Sequence, residues 1–248
     1  EAEEAARLYR QAVEVEPQRS TFFASLALAL RCQGDLEGAV ASLERAVELD
    51  PGQGELRYQL GSLYREQGQK EKALAQFRKA VDLAPQEPRY HQWLARALSE
   101  MGRKGEAVAA LEEAISLAPE DPALRERLGQ LFEDHGWDEE ALDQYERVVK
   151  AEPGEPAHYH RLGDLLSRLG RKDEAVASLK KAVAIRSQDP KAHLNLAKAL
   201  ALEGRDEEAL TGVEEAVRLA PRDPRYHRQR GLLLLEMGRD GEAEEALK

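Results

Sequence analysis

The chain repeats itself every 34 residues, and no other feature constrains its fold as tightly. Residues 83–91 read LAPQEPRYH and residues 219–227 read LAPRDPRYH, four periods apart. Proline stands at 17, 51, 85, 119, 153 and 221, and the one missed tick is Ser187. Glycine stands at 34, 68, 102, 136, 170, 204 and 238, and alanine at 5, 39, 73, 107, 141, 175, 209 and 243. A second proline recurs at 88, 122, 156, 190 and 224. Length alone would suggest one or two globular domains. The period predicts instead one quasi-linear array over 1–248, in which each unit packs only on its neighbours.

One repeat, PRYHQWLARALSEMGRKGEAVAALEEAISLAPED at 88–121, shows the design. Pro88 suits a first helical position, where a missing N–H costs nothing. Leu94, Ala95 and Leu98 share a helical face, and Gly102 can take the positive φ that ends a helix. After the polar turn RKGE, a second helix carries Ala107, Val108, Leu111, Ala114 and Leu117 at helical spacing until Pro119 stops it. Small residues at Ala95 and Ala107 let the two helices approach closely. The same two slots hold Gly61 and Ala73, Gly129 and Ala141, Gly163 and Ala175, Ala197 and Ala209. Neither helix can bury its apolar stripe alone, so stacking is obligatory.

The 34-residue unit with L-[G/A]-x2-[L/Y/F]-x3-G, then A-x3-[L/F/Y]-x2-A and a closing proline, resembles the tetratricopeptide repeat (TPR). Leu60, Gly61, Tyr64, Gly68, Ala73, Phe77, Ala80 and Pro85 carry the pattern in one unit. The resemblance implies an all-α fold, a right-handed superhelical α-solenoid of stacked antiparallel helix pairs. Full repeats are expected at 20–53, 54–87, 88–121, 122–155, 156–189 and 190–223. Residues 1–19 match only a second helix, and 224–248 form an incomplete repeat. With no polar capping element at either end, the chain reads as a fragment of a longer array, and end-to-end self-association is expected. The family's tryptophan at the fourth slot is replaced by Phe23, Arg57, His91, Arg125, Tyr159, His193 and His227, which predicts slightly looser packing. Ser187 is expected to leave the junction before Pro190 more flexible.

The net charge of −11 argues against nucleic-acid or anionic-membrane binding. The single cysteine, Cys32, rules out an internal disulfide. No run is apolar enough to span a bilayer. Neither a cofactor nor a metal is expected: His158 and His160 lie two apart on a helix and point to nearly opposite faces. The glycines are turn residues rather than a phosphate loop, and the carboxylates recur with the repeat as solvated faces. His91, His193 and His227 are expected to pack where the family's tryptophan does, and Trp137 over its turn. No catalytic constellation is predicted, so the chain reads as a non-enzyme.

In the family, a concave wall of first helices binds partners through slots two, five, nine, twelve and thirteen. Those slots hold nine basic and eight acidic residues here, a balance of +1 that puts the excess negative charge on second helices and turns. Glu126, Glu133 and Asp134 form an acidic centre, Arg89 and Arg96 flank it, and Lys191, Lys198, Arg225 and Arg228 make a basic far end. The expected partner contacts are Tyr58, Arg65, Arg89, Gln92, Arg96, Glu126, Gln130, Lys191 and Lys198. Neither the family's carboxylate clamp for chaperone tails nor its asparagine ladder is matched; the sixth slots read Ser25, Gln59, Trp93, Arg127, Arg161, Asn195 and Gln229. The leading expectation is a protein-interaction scaffold for a protein or peptide segment. The alternatives are a periplasmic spacer of a bacterial polysaccharide export system or a self-assembling scaffold. The arginine-rich, alanine- and leucine-rich composition points to a bacterial source and leaves cytoplasm or periplasm open.

Overall fold

The computed structural model describes residues 2–247. Among them every regular element is a helix. The first helices of the repeats are α2 (Ser20–Cys32), α4 (Gly54–Glu66), α6 (Pro88–Glu100), α8 (Pro122–Glu133), α10 (Pro156–Arg168), α12 (Pro190–Leu202) and α14 (Pro224–Glu236). The second helices are α1 (Ala2–Val15), α3 (Leu36–Leu49), α5 (Lys70–Leu83), α7 (Lys104–Leu117), α9 (Asp138–Ala151), α11 (Lys172–Ile185), α13 (Asp206–Leu219) and α15 (Asp240–Ala246). The chain divides into two compact units, Glu1–Leu124 and Arg125–Lys248. Within each, a second helix packs on the first helix before it and on the one after it, giving an α-solenoid of helix pairs.

The periodic glycines make the turns. Gly34, Gly68, Gly102, Gly136, Gly170, Gly204 and Gly238 all have φ between 72° and 81°, a region closed to residues with a Cβ except under strain. Each places the next N–H on a carbonyl five residues back, as in Gln69 to Tyr64 (2.8 Å) and Arg239 to Leu234 (2.8 Å). This is the Schellman ending, which satisfies carbonyls that a helix terminus would orphan.

The periodic alanines make the core. Ala39, Ala73, Ala107, Ala141, Ala175, Ala209 and Ala243 are all fully buried, each at the same depth of its second helix. Opposite them the first helix carries glycine wherever a large side chain fills the gap. A Cβ on Gly61 would stand 2.9 Å from the Phe77 ring, and one on Gly129 would stand 2.5 Å from Tyr145. Where the first-helix slot is alanine, as at Ala27 and Ala95, the matching residues are the smaller Leu43 and Leu111, and all four are buried. Leucine is also met by glycine, at Gly163 opposite Leu179 and at Gly231 opposite Leu247, so the aromatic rings face glycine while leucine faces either residue.

The fourth-slot histidines do more than pack. His91 Nε2 donates to the Pro85 carbonyl (2.8 Å), His193 to that of Ser187 (2.9 Å) and His227 to that of Pro221 (2.8 Å). Each imidazole clips the turn six residues upstream. The Ser187 turn therefore closes in the same way as its proline counterparts. Its Asp189 N–H to Arg186 carbonyl distance is 3.2 Å, against 3.2 Å for Glu87 to Ala84 and 3.1 Å for Asp223 to Ala220. Trp137 packs over its turn on Phe132 (centroids 5.8 Å apart) and on His135 (5.6 Å) and stays 38% exposed. No helix among the described residues is long and apolar enough to cross a membrane.

Candidate functional site

In the first unit, the faces of α4 and α6 meet at Trp93. Its ring lies 5.8 Å from Tyr58 and 6.1 Å from Phe77, centroid to centroid, and Tyr58 in turn stacks on Tyr90 at 5.8 Å. Three guanidinium groups cover the rings. Arg65 and Arg96 lie 5.0 and 5.2 Å above Trp93, and Arg89 lies 4.9 Å above Tyr58. Such contacts favour the cation by about 0.5–1 kcal/mol at exposed sites. Carboxylates then hold the cations. Glu55 accepts from Arg89 (2.6 Å) and from the Tyr90 hydroxyl (3.3 Å), and Glu100 pairs with Arg65 (3.1 Å) and Arg96 (3.3 Å). Burial first, and then the Glu55 carboxylate, push the Tyr90 phenol above its ordinary pKa.

Beside this cluster the α2 and α4 faces leave a cavity of 330 Å³, lined by Ala24, Leu28, Arg31, Glu55, Tyr58 and Gln59 among others. Leu28 is 56% exposed at its rim. The volume lies at the lower end of the range for small-ligand pockets, and its wall is part apolar and part charged.

In the second unit the pairing is of another kind. Arg161 binds Glu126 (3.2 Å), and the Gln130 amide, oriented by its hydrogen-bond partners, accepts from the same guanidinium. Glu133 accepts from both Arg168 and the Tyr145 hydroxyl. Tyr145 is almost wholly buried, and burial, followed by that bond, raises its pKa strongly. His158 pairs with Glu152 (2.9 Å). On α12, Lys191 and Lys198 are exposed and, among the described residues, make neither an ion pair nor a side-chain hydrogen bond. Asp164 on α10 faces them, and its carboxyl is pushed up by burial against the opposing pull of His160 and both lysines. Among the described residues no three His, Cys, Asp or Glu side chains converge as metal ligands would. Cys32 is a free, exposed thiol.

Of the nine residues expected from sequence, Tyr58, Arg65, Arg89 and Arg96 thus come together at Trp93. Gln92 lies half-buried on α6 beside it, Glu126 and Gln130 share Arg161, and Lys191 and Lys198 form a separate stretch on α12.

Two family models, both described as tetratricopeptide repeat, match the sequence. One matches residues 30–97 and 166–233, and the other 1–54 and 94–156. The chain belongs to the tetratricopeptide repeat family. No curated protein matches it. Among solved structures, that of MamA is 26% identical with a TM-score of 0.62, over 69% of this chain and 94% of that one. The C-terminal part of a TPR repeat-containing protein from Cytophaga hutchinsonii gives a TM-score of 0.78 at 14% identity, over 91% of this chain and 93% of that one. YrrB, described as a TPR protein with an unusual peptide-binding site, gives 0.59 at 24% identity, over 74% and 94%. The last two are likenesses of fold.

The TPR register also locates the centres of the two clusters. Trp93 and Arg161, the hubs of the two clusters, both occupy the sixth slot of their repeats. The five partner slots do not include it. A sixth-slot residue projects between slots two and nine of the same helix, so a large side chain there gathers the charges around it.

Proposed function

We propose that this chain is a non-enzymatic interaction scaffold that takes up a segment of a partner protein on the faces of its first helices. TPR proteins generally serve as such scaffolds. The observation that carries the reading is the cavity between α2 and α4, open beside an arginine-capped aromatic cluster. A half-exposed leucine and an aromatic face can bury one apolar side chain of a bound segment, while Arg31, Glu55 and Gln59 line the same cavity and can fix its main chain. Aromatic residues and arginine are the side chains that dominate binding energy at protein interfaces. YrrB, described as having a peptide-binding site on a fold of this kind, supports the reading.

A displayed random-peptide library tests it. Peptides are selected on the wild-type chain and counter-selected on a Leu28→Glu, Tyr58→Ala variant, both substitutions lying in the cavity wall. Enrichment of sequences that survive counter-selection supports the cavity as a partner site. Enriched sequences that bind both proteins equally move the function off this face.

A further inference from the structure

We infer that the exposed face shared by α12 and α14 docks an acidic, leucine-bearing helical segment of a partner protein. The inference rests on the reading of first-helix faces as partner surfaces, but on residues other than those of the α2/α4 cavity.

The argument begins with which charges are already neutralised. On the first-helix faces several arginines are held by a carboxylate of a neighbouring repeat, the next one or the one before. Arg31 pairs with Glu66 (3.6 Å), Arg65 with Glu100 (3.1 Å), Arg161 with Glu126 (3.2 Å) and Arg168 with Glu133. A partner that engaged these groups would have to break existing pairs. On α12 and α14 this stops. Lys191, Lys198 and Arg228 are exposed and, among the described residues, make no ion pair or side-chain hydrogen bond. In a chain of net charge −11, three unneutralised cations on one face stand against the overall balance. The carboxylates nearby are Asp164, partly buried on α10, Asp189, which accepts from the Lys191 N–H (2.9 Å), Asp223, which is taken up by Arg225, and Glu236 at the end of α14.

The same face is apolar where it is not cationic. Leu202 is 57% exposed, Leu232 40% and Leu235 46%. Lys198 and Leu202 are four residues apart on α12, and Arg228, Leu232 and Leu235 fall at i, i+4 and i+7 on α14. Each set is therefore a single helical stripe. Both helices pack on α13 through short turns, which makes them parallel to each other. Cations therefore precede leucines along both helices, Lys191 and Lys198 before Leu202 on α12 and Arg228 before Leu232 and Leu235 on α14. Exposed leucines ask for an apolar partner surface, and unpaired cations ask for carboxylates and repel a basic segment. A free anion or a nucleic acid would leave the leucines uncovered. A helix with acidic residues toward one end and leucines at i, i+3 and i+4 answers both demands.

The test is fluorescence anisotropy with labelled peptides of about 16 residues, the length that runs along α12 at ~1.5 Å per residue. One peptide carries glutamates and helically spaced leucines. A second has lysine for each glutamate, and a third has serine for each leucine. The proteins are the wild type, Lys191→Glu/Lys198→Glu/Arg228→Glu, the milder Lys191→Gln/Lys198→Gln/Arg228→Gln, Leu232→Ser/Leu235→Ser, and Tyr58→Ala/Trp93→Ala. All altered α12 and α14 side chains are exposed, so circular dichroism should match the wild type. The Glu–Leu peptide should bind the wild type, lose affinity about tenfold or more in the reversed and Leu→Ser proteins, and weaken as salt rises. The neutralised variant should fall between. The Tyr58→Ala/Trp93→Ala protein should bind it unchanged. Equal binding of the lysine or serine peptide, no binding of the Glu–Leu peptide, or unchanged affinity in the α12/α14 variants would overturn the inference. If only Tyr58→Ala/Trp93→Ala weakens binding, this inference fails while the proposal for the α2/α4 cavity stands.

Discussion

Gly61→Ala probes how the repeat's packing supports its surface. The added Cβ would stand 2.9 and 3.0 Å from two carbons of the Phe77 ring and 3.2 Å from the Ala73 carbonyl, where ordinary contact begins near 3.4 Å. Phe77 is fully buried and cannot yield into solvent. It can move only toward Tyr58 and Trp93, whose rings lie 6.2 and 6.1 Å away. Overpacking of this kind costs about 1–3 kcal/mol, and replacing glycine within a helix returns up to ~1 kcal/mol. The net expectation is a loss of about 1 kcal/mol. Gly105→Ala on α7, with nothing within 4 Å of the new methyl, isolates the favourable part and should stabilise by about 0.4–1 kcal/mol. Adding Phe77→Leu to Gly61→Ala copies the native Ala95 and Leu111 pair and should recover much of the loss, a coupling of about 0.5–3 kcal/mol. Repeat arrays do not unfold as one two-state unit, so the readout is hydrogen exchange of α4 and α5 amides, with Trp93 fluorescence in a Trp137→Phe background. Faster exchange and altered Trp93 emission in Gly61→Ala, both reversed by Phe77→Leu, are expected. Gly61→Ala stabilising as much as Gly105→Ala would refute the reasoning, because the glycine would then owe nothing to the ring.

Ser187→Pro should stabilise the α11–α12 junction by about 0.4–1 kcal/mol, measured by hydrogen exchange of the α11 and α12 amides. The preceding Arg186 has φ −131° and ψ 75°, close to the −136° and 67° of Ala220 before Pro221, and the Ser187 N–H makes no hydrogen bond that proline would remove. His91→Phe should lose about 1 kcal/mol through the Pro85 carbonyl bond, and His227→Phe, on the less buried counterpart, less; hydrogen exchange of the amides around the two turns gives the comparison. Tyr64 is pushed up to about 12, chiefly by burial and then by its bond to Glu44. The folded state therefore keeps a proton that the unfolded chain releases near its ordinary value of about 10, and stability should fall as pH rises through that window. Phenolate absorbance that rises at the same pH in native and urea-unfolded protein, with no loss of stability, would contradict this.

The repeat was legible from sequence because its turns and close approaches admit few residues. Gly68 must take a left-handed φ, Ala73 must fit under the neighbouring helix, and Pro88 must open one; each requirement shows as a residue type at a fixed interval. The cluster at Trp93 was less legible. Slot arithmetic placed Tyr58, Arg65, Arg89 and Arg96 on one wall, but their convergence depends on one large ring in a slot that the partner-contact positions omit. The histidine clips also escaped the reading. Seen as tryptophan substitutes, His91, His193 and His227 are fillers; only backbone geometry shows a carbonyl six residues back within reach of the imidazole.

Charge carries the deeper lesson, because a residue's availability depends on its neighbour one repeat away. Slot twelve of one first helix meets slot thirteen of the next. Arg31 meets Glu66, Arg65 meets Glu100, and Glu133 meets Arg168 with the signs exchanged. These exposed pairs add little stability each, yet they occupy groups that a count of surface charge would offer to a partner. Further along, the same slots hold Ser167 with Leu202 and Ala201 with Glu236, and the ladder ends for want of opposite charges. Leu202 is left uncovered there, and Lys198, one helical turn before it, is left unpaired. A wall balanced at +1 by composition is therefore two surfaces in practice. In one the charges are satisfied within the molecule around an aromatic cluster and a cavity, and the other is open and cationic. The charge-dependent docking inferred for α12 and α14 belongs to the second.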